Sequence, residues 1–136
     1  MTTVAWDGRT LAADTQSSLY RLPVRKIYRL NEHKHFYGAC GDVQICRAVH
    51  AWLMGEDKPA LSDADKFHGL LIEDGKVFTL ESRLIKIPHD SPFIAIGSGR
   101  DFAMGAMACG KSAADAVRIA MQFDVDTGGD VDEISY

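Results

Sequence analysis

Cysteine, proline and long apolar runs are scarce in this sequence. It contains 3 cysteines and 4 prolines in 136 residues, and Cys40, Cys46 and Cys109 form no Cys-x-x-Cys pair. An odd, widely spaced set argues against a disulfide framework and fits a reducing compartment. No apolar run approaches the roughly 18 residues that a membrane-spanning helix needs, and no basic segment followed by an apolar run opens the chain. We therefore expect a cytoplasmic protein with no membrane partner, in which the cysteines are core thiols.

Excess positive charge is absent as well. The chain has 15 lysines and arginines against 19 acidic residues, a net charge of −4. Nucleic acids and anionic membranes attract basic surfaces, so neither is expected as a partner. The 5 histidines are scattered without metal-ligand spacing, and we expect no metal and no cofactor. With 46% hydrophobic and 25% charged residues, the composition predicts one globular domain spanning residues 1–136.

The hydrophobic pattern changes from strand to helix and back along the chain. Alternating, β-branched or aromatic runs predict strands, and apolar residues at three- and four-residue spacing from Asp42 to about Gly55 predict a helix. The Asp7-Gly8 and Asp74-Gly75 pairs predict two-residue hairpin turns with positive φ angles. This order predicts two stacked sheets with helices outside. The predicted strands are 2–6, 9–13, 24–30, 34–38, 70–73, 76–80, 84–87, 93–96 and 131–136, and the later helices are 100–109 and 112–123.

The chain begins with two threonines behind the initiator, Met1-Thr2-Thr3. If Met1 is removed, Thr2 carries a free α-amine beside its own hydroxyl. An α-amine titrates at roughly 7.7 to 8.0, so near neutral pH it can accept the hydroxyl proton and activate the oxygen as a nucleophile. The alternative is that threonine is present here only because it favours strands.

Residues 105–112, Gly-Ala-Met-Ala-Cys-Gly-Lys-Ser, match the phosphate-binding pattern G-x-x-x-x-G-K-[ST]. A phosphate loop follows a buried strand directly, whereas this segment begins within a predicted helix. The pattern is better explained by Gly110 ending one helix and Ser112 capping the next. Residues 97–99, Gly-Ser-Gly, are a second candidate anion site at a helix N-terminus, although such a segment is usually a turn.

Six segments, in order from the first residue to the last, resemble proteasome β-subunits. In length and in its last residues the chain is most similar to the bacterial proteasome-like peptidase that pairs with an unfoldase. The resemblance implies an α+β fold, the four-layer αββα sandwich of two antiparallel sheets found in N-terminal nucleophile hydrolases. Residues 55–68 leave little room for a second helix, so we expect the first helix pair to be truncated. The segments are Thr2-Thr3-Val4, Ala12-Ala13-Asp14, Val24-Arg25-Lys26-Ile27, residues 38–42, residues 96–99 and residues 124–129.

The resemblance also implies catalytic roles. Thr2 would be the nucleophile, with its own amine as general base. Lys26, held by Asp14, would place a cation beside it, which favours both the neutral amine and the ionised hydroxyl. The amide of Gly38 would donate to the oxyanion. Without the resemblance, Lys26 would be interpreted as a solvated surface lysine and Asp14 as a turn cap.

Two further groups of residues complete the implied site. One is a polar network that would orient the terminal amine, and the other is a specificity pocket that would favour apolar residues before the cut. Each network residue, taken alone, is more typical of a loop or a helix cap. The network residues are Ser98, Asp124 and Thr127, and the pocket residues are Val24, Phe36 and Cys40.

Side-chain parity decides between the two threonines. In the family that the chain resembles, the hairpin between the nucleophile and the aspartate is usually longer than it is here. If the difference in length is an even number of residues, each side chain stays on its own face of the sheet. The difference is even when the hairpin is counted from Thr2. The implied protein is a threonine endopeptidase that forms a homo-oligomeric ring, cleaves unfolded proteins or peptides and works with a ring-shaped ATPase. A catalytically silent assembly subunit and a small nucleotide-binding protein are the alternatives.

Overall fold

The structure is a computed structural model that describes residues 2–17, 22–31 and 34–136. Met1 and part of the polar loop before Pro23 lie outside the described residues. The strands are β1 (Thr3–Trp6), β2 (Thr10–Asp14), β3 (Ile27–Arg29), β4 (His35–Gly41), β5 (Phe67–Glu73), β6 (Lys76–Leu80), β7 (Ile87–His89), β8 (Ile94–Gly97) and β9 (Val131–Ser135), and the helices are α1 (Val43–Leu53), α2 (Arg100–Ala108) and α3 (Ala113–Phe123).

Two antiparallel sheets form the centre of the molecule. The first has the strand order β8-β1-β2-β9 and the second β3-β4-β5-β6-β7. Apolar side chains from both sheets, including Trp6, Phe36 and Ile72, form one core between them. A second core lies between the first sheet and helices α2 and α3, and a third lies between the second sheet and α1. The predicted four-layer αββα sandwich is confirmed.

Side-chain alternation along β1 decides what the chain terminus contacts. Val4 and Trp6 face the core between the sheets, and Ala5 faces α2 and α3. Because successive side chains of a strand point to opposite faces, Thr3 shares the helix side with Ala5. In the same pattern, Thr2 belongs to the side that faces the second sheet.

Helix α1 is confirmed and stands alone over its sheet. The Asp42 carboxylate accepts hydrogen bonds from the amides of Gln44 and Ile45, which satisfies two amides of the first turn. The described chain has no helix between α1 and β5. The expected truncation of the first helix pair is therefore confirmed.

Several predicted strands differ from the observed ones in their bounds, and two of these differences have a local cause. The run predicted over 24–30 is a strand only from Ile27 to Arg29, because the amide of Val24 donates to the Thr15 carbonyl oxygen at 2.9 Å and leaves the sheet. The run predicted over 84–87 is not a strand, since Leu84 has a positive φ of 56°. Its buried side chain joins the core under α1, and the short strand there is β7.

The two Asp-Gly turns differ from each other. Asp74 and Gly75 both have positive φ, at 53° and 82°, as predicted. In the first hairpin only Gly8 does, at 97°, and the prediction for Asp7 was wrong. The Asp7 carboxylate accepts hydrogen bonds from the amides of Thr10 at 2.7 Å and Ala113 at 2.9 Å. This side chain therefore fixes the turn and connects it to the start of α3.

The phosphate-loop pattern is not a phosphate loop. Gly105 lies inside α2, and Ser112 is the N-cap of α3. The Gly110 amide donates to the Met107 carbonyl oxygen at 3.0 Å and the Lys111 amide to that of Ala106 at 3.1 Å. Amides that are already bonded to the preceding helix cannot surround a phosphate group.

We expect Lys111→Ala to leave the fold and any peptide hydrolysis unchanged, because Lys111 is exposed and outside every core. Isothermal titration calorimetry should show no saturable ATP binding by either the parent protein or the variant. Micromolar ATP binding that disappears in Lys111→Ala would contradict this interpretation and restore the nucleotide-binding alternative.

Candidate active site

Thr2 and Thr3 have different surroundings. Thr2 is buried and lines a cavity of about 650 Å³ together with Lys26, Cys40 and Gly41. Thr3 is also buried, but its hydroxyl oxygen lies 2.8 Å from that of Thr127 on the helix side of the sheet. The structure therefore places the Thr2 residue, and not Thr3, at a cavity large enough for a peptide side chain.

Asp14 is the buried centre of a hydrogen-bond cluster behind this cavity. Its carboxylate is inaccessible to solvent and accepts from the Lys26 ammonium at 3.0 and 3.1 Å. It also accepts from the amides of Thr3 at 3.0 Å and Gly128 at 3.1 Å. Four donated bonds stabilise the ionised carboxylate in a buried position. The aspartate expected to hold Lys26 does so.

Lys26 is not a solvated surface lysine. Its side chain is only 9% exposed. Burial lowers the pKa of the Lys26 ammonium, and the neighbouring Asp14 carboxylate opposes that shift without cancelling it. The result is a lysine beside the cavity whose proton is held less tightly than in water.

Hydrogen bonds join Ser98, Asp124 and Thr127. The Ser98 and Thr127 hydroxyls each donate to the same oxygen of Asp124 at 2.6 Å, and the main-chain nitrogen of Thr2 donates to the Ser98 hydroxyl at 3.2 Å. Desolvation raises the pKa of the Asp124 carboxyl, but the hydrogen bonds from Ser98 and Thr127 and from the Asp126 amide outweigh it, so the pKa lies below the usual range. Asp124 therefore stays ionised and accepts the Ser98 hydroxyl hydrogen, which directs the Ser98 oxygen to accept from the Thr2 nitrogen.

Gly97 allows the backbone before Ser98 to pack closely against Thr2. Its φ is 101°, and a Cβ there would lie 1.9 Å from the Thr2 carbonyl oxygen. A residue with a side chain would therefore displace Thr2 from Ser98.

Solved structures match the chain over its whole length. It superposes on Thiobacillus denitrificans BPH in complex with epoxomicin with a TM-score of 0.77 and 19% identity, covering 99% of this chain and 98% of that one. Its superposition on Trypanosoma brucei HslV has a TM-score of 0.66 and 18% identity, and covers 98% of this chain and 97% of that one. Its superposition on a chain of the Pseudomonas aeruginosa Anbu complex has a TM-score of 0.69 and 12% identity, and covers 100% of this chain and 81% of that one. The chain has the HslV-like fold. The comparison with family models finds no match, and neither does the comparison with curated proteins.

Two of the expected site residues lie elsewhere in this HslV-like fold. Phe36 is fully buried, with its ring centroid 6.2 Å from that of Trp6 and 5.4 Å from that of Tyr136. Gly38 lies in the middle of β4, where an added Cβ would lie 2.8 Å from the Val4 side chain and 2.9 Å from that of Ile27. Neither residue lines the cavity beside Thr2. Both side-chain positions face the core between the sheets.

Gly41, which the sequence analysis did not select, lines the cavity at the end of β4. Its φ is 116°, and a Cβ there would lie 2.2 Å from the Lys66 carbonyl oxygen. Only glycine fits this position. The signal was present in the sequence, since Gly41 directly precedes the helix cap Asp42, but its place beside Thr2 depends on how the second sheet packs on the first.

Val24 and Cys40 do line the cavity, and so does Cys46. Burial raises the pKa of the Cys40 thiol to about 11 and that of Cys46 to about 12. Both are therefore protonated at neutral pH and contribute apolar surface to the cavity wall.

Within residues 2–17, 22–31 and 34–136, no three or more histidine, cysteine or acidic side chains form a cluster suited to a metal ion. In that same part of the chain, no helix has the length and apolar character to cross a membrane.

Proposed function

We propose that this chain is a threonine-type endopeptidase subunit of a self-compartmentalising, cytoplasmic protease, with Thr2 as the nucleophile after removal of Met1. The observation that carries the proposal is the position of Thr2. It lies at a cavity beside a buried Lys26–Asp14 pair, and its main-chain nitrogen contacts Ser98. Met1 lies outside the described residues. The shared HslV-like fold is the second support.

The chemistry follows from these contacts. The Thr2 hydroxyl oxygen attacks the substrate carbonyl carbon, and its proton passes to the free α-amine, directly or through water. The protonated amine then gives that proton to the leaving nitrogen, which breaks the peptide bond and leaves an ester on Thr2. A water molecule hydrolyses the ester by the same route. Lys26 favours the deprotonated hydroxyl throughout, because a cation stabilises a neighbouring anion.

We assign the oxyanion contact to Gly41 in place of Gly38. Gly41 lines the same cavity as Thr2 and lies at the end of β4, where a backbone amide can donate to an oxyanion. Gly38 lies in the middle of β4 and does not line this cavity.

Intact-mass measurement of natively produced protein tests the first step. We expect the mass of the chain to be lower by one methionine, and we expect only that form to hydrolyse fluorogenic peptides. A preparation that keeps Met1 and still hydrolyses peptides would contradict an N-terminal mechanism.

Assembly follows from the need to enclose a peptidase. We expect a homo-oligomer of six or more subunits with low peptidase activity until a ring-shaped ATPase docks. The Anbu complex of Pseudomonas aeruginosa forms a helical assembly, which supports association within this fold. Light scattering at micromolar concentration measures the state, and a stable monomer would contradict the enclosed protease.

One observation favours a second candidate function, a catalytically silent assembly subunit. The described chain has α1 but no partner helix after it, so this outer layer differs from the expected helix pair. A homogeneous oligomer that lacks Met1 and cleaves no peptide would support this alternative.

A further inference from the structure

The cavity beside Thr2 has a charge opposite to that of the chain as a whole. The full chain carries a net charge of −4, yet cations outnumber carboxylates in the cavity lining. Arg25, Arg47 and Lys66 are exposed residues that line it, and none of the three has an ion-pair partner among the described residues.

The two carboxylates of the lining are already engaged. Asp42 accepts hydrogen bonds from the first amides of α1, where the positive end of the helix dipole offsets its charge. Asp65 accepts a bond from the Ser62 amide at 2.7 Å and one from the Ser62 hydroxyl at 3.3 Å. Their geometry leaves the three cations available to an incoming ligand.

Less exposed residues of the same lining are apolar or aromatic. Tyr28 donates its hydroxyl to the Arg25 carbonyl oxygen at 3.1 Å, and Tyr37 donates to that of Cys46 at 3.0 Å. Both phenol groups are therefore satisfied within the protein, and together with Ala39 they offer contacts to a hydrocarbon stem.

We infer that this cavity binds the acidic side chain, glutamate or aspartate, of a peptide on the acyl side of the scissile bond. The placement of this side chain relative to a cleaved bond rests on the proposed peptidase function. The acidic preference replaces the apolar preference expected from Val24, Phe36 and Cys40. Phe36 does not line the cavity, and a carboxylate would meet the exposed Arg25 and Arg47 while its methylene groups contact the tyrosines. Arginine suits this role because it donates two parallel hydrogen bonds to a carboxylate.

Binding to Thr2→Ala tests the inference without requiring catalysis. Fluorescence anisotropy compares fluorescein-labelled Leu-Leu-Glu and Leu-Leu-Gln, which differ in charge and not in shape. We expect the glutamate peptide to bind about tenfold more tightly, since each exposed ion pair contributes about 2- to 5-fold. The difference should shrink in 0.5 M salt because added ions screen exposed charges.

Two charge variants identify the cations responsible. Arg25→Gln combined with Arg47→Gln should reduce the glutamate preference to about twofold or less. Arg83→Gln, an exposed arginine outside the cavity, removes the same kind of charge and should keep the full preference. Circular dichroism shows whether each variant is folded. If the double variant does not fold, the salt dependence of the glutamate preference in Thr2→Ala tests the inference instead.

The inference is overturned if both peptides bind equally, if neither binds at millimolar concentration, or if the double variant keeps the preference. Its failure is distinct from that of the proposed function. Preferential glutamate binding without any hydrolysis by the parent would refute the peptidase and keep the inference. Hydrolysis that is equally fast after glutamate and after glutamine would support the peptidase and refute the acidic preference.

Discussion

Thr2→Ala should abolish hydrolysis of fluorogenic peptides, with a loss of about 1,000-fold or more, as is typical when a nucleophile is removed. The variant lacks the only hydroxyl that can be adjacent to a free terminal amine in the processed chain. Thr2→Ser keeps that hydroxyl and should retain measurable turnover. Initial rates at saturating peptide, normalised to folded protein, provide the comparison.

Thr3→Ala is the matched control for this loss. The Thr3 hydroxyl faces Thr127, away from the cavity. Its removal eliminates one buried hydrogen bond, so we expect the free energy of unfolding to fall by about 1 kcal/mol and activity to fall less than tenfold. Equal activities of Thr2→Ala and Thr3→Ala would refute the assignment of the nucleophile.

Lys26→Ala should lower turnover by orders of magnitude and should also destabilise the protein. From the sequence, a surface lysine would contribute roughly 0 to 1 kcal/mol, which predicts an unchanged melting temperature. The structure changes that prediction, because Asp14 is fully buried and loses its only charged donor among the described residues. We expect a loss of about 3 kcal/mol in the free energy of unfolding, the usual effect of an uncompensated buried charge, and a melting temperature lower by roughly 10 °C.

Lys26→Arg separates the two effects. Its guanidinium can still pair with Asp14, so most of the stability should return, but it is larger at the cavity wall and spreads its charge over a planar group, which moves the cation relative to Thr2. We expect activity to remain low. Thermal melts and peptide hydrolysis, measured on the same samples, compare the three proteins. Full activity in Lys26→Ala would show that the lysine is structural alone.

Local patterns were sufficient for the parts of the site that depend on strand alternation. The choice of Thr2 over Thr3 combines the two-residue period of a strand with the hairpin length that the resemblance implies. In the structure Thr2 lines the cavity, and the Thr3 hydroxyl lies on the helix side of the sheet. The lone helix over the second sheet follows from the short spacing between Gly55 and His68. These features could be predicted because each depends on a few neighbouring residues.

Long-range register decided what the sequence left open. Phe36, Gly38 and Cys40 alternate onto one face of β4, so the pattern alone cannot show which of them lies beside Thr2. Pairing between β4 and β5 places Cys40 opposite His68 near the open end, and Phe36 opposite Ile72 in the core. Similarly, no local signal marked Asp7 as the residue that holds α3.

The cluster around Asp14 also has a consequence for the timing of biosynthesis. Its donors come from Thr3, Lys26 and Gly128, which lie near both ends and in the first quarter of the chain. Such long-range contacts form late in folding, since widely separated segments must first meet. A ribosome that has not yet translated residue 128 therefore carries a nascent chain without a complete site. If the chain is the protease proposed above, unfinished copies are harmless to the other proteins being made around them.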